Sequence, residues 1–272
     1  MIVPSSSSRP AAVSPELAAA TSLFPPPLQA RLSALYALAQ HSPYVFASPL
    51  GPFHYQGQPA YLPRLAFFGP QASDDSWRLS FLAGFDHRDL RASRALLALV
   101  TGLAENAEAG HGLNLSFFPL VDAAGLLFAA ADRNLGTAHW GRKAPPEIHL
   151  LERDARGRGY HGFVRIETSS SLDDVIVIRV RQPAVQPLSP DLELISSDET
   201  DSYPVRFETV PAGIRAEDGP LSVTDDLPVA PFELTLLLPA AWPEYDYQRA
   251  VVVLLKRFLR RYRAFQAHSQ HL

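Results

Sequence analysis

The stretch Trp77-Arg78-Leu79-Ser80-Phe81-Leu82-Ala83-Gly84-Phe85-Asp86-His87-Arg88-Asp89-Leu90 decides how the rest of the chain is read. Leu79, Phe81 and Leu82 give it the apolar content of a buried strand, which runs into Ala83-Gly84 and then a polar turn with Asp86, His87 and Asp89. Leu90, Ala95, Leu96, Leu99 and Val100 follow as the apolar positions of a helix. A strand end that delivers acidic side chains just before a helix is where open α/β sheets keep their sites.

On both sides of this stretch the same alternation continues. Pro25-Pro26-Pro27 precedes an amphipathic helix with Leu28, Leu32, Leu35 and Leu38 near helical spacing, and residues 43–59 read as a loop. Strands are expected at Tyr61 to Phe68, Leu113 to Leu120, Tyr160 to Thr168, Asp174 to Val180, Pro204 to Val210 and Phe232 to Leu238. Val175 to Val180 is β-branched almost throughout, as in an interior strand buried on both faces. Pro145-Pro146-Glu147 opens a helix to about Arg156, with proline where its missing donor does no harm. A last helix runs from about Asp246 to Phe265, with Val251, Leu255, Phe258 and Tyr262 on one stripe. Lys256, Arg257, Arg260, Arg261 and Arg263 form a solvated face on its other side. This order predicts one layered α/β domain over residues 28–272, preceded by a loose Ser/Pro/Ala-rich tail at 1–27.

Composition narrows the function classes. The net charge of -4 gives no electrostatic case for nucleic acid or an anionic membrane. With no cysteine, disulfides, thiolate catalysis and cysteine-ligated metals are excluded. There is neither a leader-like start nor an apolar run long enough to span a bilayer, so the expectation is a soluble cytoplasmic protein. His87-Arg88-Asp89-Leu90 spells the start of a kinase catalytic loop, but Arg94 stands where that loop needs Asn and no phosphate-binding loop precedes it. No serine sits on a Gly-flanked elbow, and none of the nine histidines has a metal-ligand partner at the right spacing.

In segment order over roughly residues 50–266, the chain resembles the zinc carboxypeptidase family, including its succinylglutamate desuccinylase and aspartoacylase relatives. Ala83-Gly84-Phe85 matches the approach to that family's first ligand motif. Pro119-Leu120-Val121-Asp122-Ala123-Ala124-Gly125 matches its second segment, and Arg133-Asn134 with Gly136 its third. Pro146-Glu147 matches a helix start, Phe163 to Glu167 a ligand-bearing strand, and Phe232 to Pro239 the strand of the general base. The resemblance implies a three-layer α/β/α fold with a central mixed, mostly parallel sheet.

The departures fall on the chemistry. At the three zinc-ligand positions stand Asp86, Asp89 and Glu167, and at the general-base position stands Leu237. Ala138-His139-Trp140-Gly141, with Arg142 just beyond, replaces the segment that holds a substrate carboxylate. Glu233 shares Leu237's strand face but lies about 13 Å away at ~3.3 Å per residue, too far to substitute. An all-oxygen ligand set suits Mg²⁺, Mn²⁺ or Ca²⁺ better than zinc. If the three carboxylates converge without a cation, at least one must hold a proton or pair with an arginine, for which Arg88, Arg133, Arg142 and Arg165 are available. For Asp86 and Asp89 alone, a helix cap and a first-turn acid are sufficient roles.

Two readings follow. One is a carboxypeptidase-like binding or scaffold protein without metallopeptidase activity and without a cofactor. Its pocket would grip a small acidic ligand or peptide terminus through Arg133, Asn134 or Arg142. The other is a metal-dependent carboxypeptidase or N-acyl-amino-acid amidohydrolase with a rewired carboxylate metal site.

Overall fold

The structure, a computed structural model, describes residues 24–74, 76–130, 133–136, 144–181, 203–210 and 231–269, with side chains described as far as Ala264. Helix α1 is Pro26–Ala39, followed by β1 (Val45–Ala47), β2 (Leu50–Tyr55), β3 (Gln58–Leu62), β4 (Leu65–Phe68) and β5 (Trp77–Leu82). Then come α2 (Arg91–Glu105), β6 (Leu113–Phe118), the short α3 (Ala123–Leu127), α4 (Pro146–Arg158), β7 (Gly162–Ser169) and β8 (Ile176–Arg181). The described chain closes with β9 (Val205–Val210), β10 (Phe232–Pro239) and α5 (Glu244–Ser269).

Eight strands form one sheet in the order β1-β4-β6-β5-β7-β10-β8-β9. β6, β5, β7 and β10 run parallel, as do β8 and β9. The pairs β1/β4, β4/β6 and β10/β8 are antiparallel. This is the mixed, mostly parallel sheet that the segment order implies. Period-two alternation splits its side chains between two faces. Phe81, Phe232 and their neighbours meet α5: ring centroids of Phe81 and Phe232 lie 6.4 and 6.1 Å from Phe258, and Tyr262 lies 5.3 Å from Trp77. The opposite face carries Phe163, in register with Ser80 and Glu233. Tyr160, hydrogen-bonded to both Ser116 and Asp154 of α4, brings that helix over it. Helices therefore flank both faces, and none among the described residues is long and apolar enough to cross a membrane.

The structure differs from the sequence reading at several places. Phe24 is buried and α1 begins at Pro26, so residues 24–27 of the expected 1–27 tail pack on the domain; residues 1–23 lie outside the described residues. The loop expected at 43–59 instead contains β1 and the β2–β3 hairpin, whose Pro, Gly and His content masked the pairing. In β8, Ile176, Val177 and Ile178 are buried on both faces as expected, but Arg179 and Arg181 further along are only half-buried. Arg257, expected on the solvated side of the last helix, is buried.

The site region is assembled by backbone stitching at the C-terminal ends of the parallel strands. Ala83 N–H donates to Phe118 O, Val121 N–H to Ala83 O and Asp122 N–H to Gly84 O, which locks the loop after β5 to the loop after β6. Leu135 N–H donates to Phe85 O and brings residues 133–136 alongside. Gly84 makes this approach possible. Its φ is +68°, and a Cβ there would stand 2.6 Å from Ser93 Oγ and 2.9 Å from Pro119 O. Both the left-handed backbone and the close contact exclude a side chain. Replacement Gly84→Ala is expected to destabilise the fold by about 2 kcal/mol or more, read as a lower urea midpoint at unchanged m-value.

Candidate functional site

Two shells of charge occupy the strand-end region. The deeper one centres on Arg133. Its Nε lies 2.7 Å from Asp122 Oδ1, its Nη2 lies 2.5 Å from Glu147 Oε2, and its guanidinium stacks 4.7 Å from the Tyr55 ring. Asp122 and Glu147 have no exposed side-chain surface at all. Asp122 also accepts from the Gly125 amide of α3 and meets His87 Nδ1 at 2.7 Å. Burial works to lower the Arg133 pKa, but Glu147 and Asp122 outweigh it and hold the group above its ordinary value. Burial pushes the Glu147 carboxyl above its ordinary value despite Arg133 beside it.

The outer shell holds the three carboxylates singled out from the sequence. Each has its own arginine two residues along the chain. Arg88 forks onto Asp86, with Nε 2.8 Å from Oδ1 and Nη2 2.7 Å from Oδ2. Arg91 contacts Asp89 through Nε and Nη2 at 3.0 and 2.8 Å, and its Nη1 donates to the carbonyls of Ala240 and Trp242. Arg165, buried against the Phe85 ring at 4.1 Å, pairs with Glu167. The hydrogen bonds from Arg88 hold the Asp86 carboxyl below its usual range. For Asp89, burial alone would raise the value, but hydrogen bonds from Arg91 and Thr168 bring it below.

These three acids do not converge on one point. Asp86 turns toward residues 133–136, with Asn134 Nδ2 3.4 Å from its Oδ2. Asp89 is hydrogen-bonded to Thr168, whose Oγ1 lies 3.1 Å from the Tyr247 hydroxyl of α5. Thr168 follows Glu167 in β7, so strand alternation puts it on the opposite sheet face from Glu167. Among the described residues, no three His, Cys, Asp or Glu side chains are grouped to hold a metal ion. Leu237 is the direct register partner of Glu167, so it shares that residue's face, and Glu233 is held 2.6 Å from Arg181.

The candidate ligand-binding residues separate in the same way. Arg133 has its charge balanced inside the protein. Asn134 stays at the rim beside Asp86 and accepts from the Gly136 amide. Arg142 lies outside the described residues. Sequence reading missed His87, Asp122, Glu147 and Arg91 as members of these shells. The signal for the outer shell was present, since Asp86-x-Arg88, Asp89-x-Arg91 and Arg165-x-Glu167 repeat one spacing. Nothing local marks the inner shell, whose members come from four separate segments.

The inner shell predicts a large cost for a single truncation. Arg133→Met leaves two buried carboxylates without a cation and should destabilise the protein by about 3–5 kcal/mol. The triple change Arg133→Met, Asp122→Leu, Glu147→Met should recover much of that loss, as measured by urea unfolding. The pH dependence has two opposing limbs. Asp86 and Asp89 are held below their ordinary 3.8, so their stabilisation is full above that pH and is lost as pH falls through the lower folded values. Glu147 is raised above 4.5, so its contribution declines as pH rises from 4.5 through the higher folded value. Unfolding free energy measured from acid to neutral pH should lose part of the first limb in Asp86→Asn and flatten the second in Glu147→Gln.

No protein-family model matches the sequence, and no curated protein matches it. Solved structures do. A metallo-carboxypeptidase from Burkholderia cenocepacia superposes with a TM-score of 0.61 at 14% identity, covering 86% of this chain and 68% of that one. A metallo-carboxypeptidase from Pseudomonas aeruginosa, solved in complex with (2-guanidinoethylmercapto)succinic acid, gives 0.57 at 15% identity over 84% and 67%. Carboxypeptidase A from Helicoverpa armigera gives 0.60 at 10% identity over 91% and 75%. At these identities the likeness is one of fold: a carboxypeptidase-like α/β sheet flanked by helices.

Proposed function

We propose that this protein is a carboxypeptidase-like domain without zinc-dependent hydrolysis, acting as a binding or scaffold protein. One observation carries the reading. Each carboxylate at a position where the resemblance would place a zinc ligand is clamped by an arginine from its own segment, at Asp86–Arg88, Asp89–Arg91 and Glu167–Arg165. At Asp86 and Asp89 a guanidinium fork takes up lone pairs that a cation would need and supplies compensating charge, and at Glu167 the Nε of Arg165 supplies that charge. Zinc fits this donor set poorly for a second reason: it prefers imidazole or thiolate ligands, and all three groups here are carboxylates.

Hydrolysis also requires a group to take the proton from water. Leu237 cannot do this, and loss of a positioned base alone costs about 10²–10⁴-fold in rate. The fold and the stitched strand-end loops remain, and with them a rim formed by Asp86, Asn134 and the exposed Arg88. A peptide terminus or a small acidic ligand suits that rim; Arg142, named from the sequence as a further donor, lies outside the described residues.

Metal analysis by mass spectrometry, after dialysis of the purified chain against Zn²⁺, Mn²⁺ and Ca²⁺ in turn, is expected to give substoichiometric metal. Peptides with free C-termini and N-acyl amino acids should remain uncleaved. One equivalent of metal that disappears in Asp86→Ala, together with cleavage of either substrate class, would sink this reading in favour of a hydrolase with a carboxylate metal site.

A further inference from the structure

Where β5 and β7 begin, the parallel ladder runs out of main-chain partners. Leu79 is in register with Gly162, and His161 N–H donates to Arg78 O at 2.8 Å, which carries the pairing one bond further. In a parallel pair, the Arg78 N–H would next take the carbonyl two residues before His161, that of Gly159. At Gly159, however, φ is +60° and the residue ends α4, its N–H capping Ala155 O. The His161 side chain stands in for the missing carbonyl: Arg78 N–H donates to its Nδ1 at 3.0 Å. One residue thus engages both main-chain groups of Arg78, one through its amide and one through its ring.

Other elements meet at the same point. The imidazole lies 4.6 Å from the Trp77 ring, which in turn meets Tyr262 of α5 at 5.3 Å. His161 O accepts from Phe232 N–H at the start of β10. The Arg78 guanidinium donates to Arg158 O in the last turn of α4 and to Asp74 O before β5. The starts of β5, β7 and β10 and the end of α4 are therefore joined through Arg78 and His161.

An acceptor role fixes the protonation state of the ring. Nδ1 receives the Arg78 N–H only while it carries a lone pair, so the imidazole is neutral with its proton on Nε2. A second proton would set one N–H against another and place a cation beside Arg78. The titratable groups on the elements that meet here are Asp74, Arg78, Arg158, Tyr160, Glu233 and Tyr262. Tyr160 is bonded to Asp154 and Glu233 is paired with Arg181. Arg78 is the charge among them that acts on the ring: burial first, and then Arg78, hold the imidazole below its ordinary 6.5.

We propose that His161 is an acid-sensitive latch: protonation of its ring releases the Arg78 amide and loosens the junction of α4 and β7 with the start of β5. The latch lies away from the strand-end loops and does not depend on the reading given to them. Its contribution to stability is full above pH 6.5 and is lost as pH falls from there through the lower folded value.

Two-dimensional NMR of the ¹⁵N-labelled full chain, titrated from about pH 8 to about pH 5, tests it. The His161 ring should titrate below 6.5, and the Arg78 amide should shift at the same midpoint. Corrected for the intrinsic pH dependence of exchange, protection of that amide should fall about tenfold, the effect of one hydrogen bond. His161→Asn places a non-titrating oxygen where Nδ1 stands, so it should keep the Arg78 bond and abolish the response. His149→Asn, at an exposed histidine of α4 outside this junction, should leave the response unchanged. An Arg78 amide indifferent to the ring's protonation, a ring value at or above 6.5, or a response that persists in His161→Asn would overturn the proposal. The coincidence of the two midpoints is read in the native chain, so it stands even if His161→Asn fails to fold.

Discussion

Arg133 is the constraint on which the strand-end region depends. It sits between two carboxylates that have no exposed surface, Asp122 after β6 and Glu147 in the first turn of α4, and Asp122 in turn holds His87 from the loop after β5. Such a cluster is weak evidence for net stability, because removing charge from water costs nearly as much as the pairing returns. Its effect is on geometry. Four segments distant in sequence can satisfy these charges in only one relative arrangement. The loops that carry His87, Asp122 and residues 133–136 are thereby held together. Glu147 also lies where the amide dipoles of α4 favour a negative group, which offsets part of its burial.

Above that region, each of the three acids Asp86, Asp89 and Glu167 has a cationic side chain beside it. An arginine two residues from each carboxylate supplies the charge locally, through a forked guanidinium at Asp86 and Asp89 and through Nε at Glu167. Because each acid is satisfied within its own segment, nothing draws the three together. Asp89 is free to turn toward Thr168 and α5, while Asp86 turns toward Asn134. A metal centre imposes the opposite condition, since its ligands must converge on one point. The backbone keeps a carboxypeptidase-like frame, while the partners of these three acids are drawn from their own segments.

Much of that frame was legible in the residues. The strand from Trp77 to Leu82, the helix after it, the strands at β6, β7, β8, β9 and β10 and the long last helix are all signalled by periodicity and by Gly and Pro punctuation. What escaped were elements whose pattern is poor in apolar residues. Strand β2, Leu50–Tyr55, is mostly exposed and rich in turn-forming types, so its pairing with β3 comes from the hairpin rather than from hydrophobic alternation. Arg257 likewise reads as surface from its charge, yet tertiary packing buries it on α5.

By itself, the sequence determined the class of fold, the carboxylates Asp86, Asp89 and Glu167 near the strand ends and the leucine at position 237. Those follow from residue identity and short-range spacing, which the chain carries locally. Tertiary structure alone decided where the charges are used. Arg133, suited on paper to a ligand carboxylate, is held by Asp122 and Glu147, while Asp86, Asp89 and Glu167 each keep a neighbour from their own segment. The reason is physical: an ion pair depends on which surfaces folding removes from water, and burial at a site built from four segments is a property of their packing, not of any one of them.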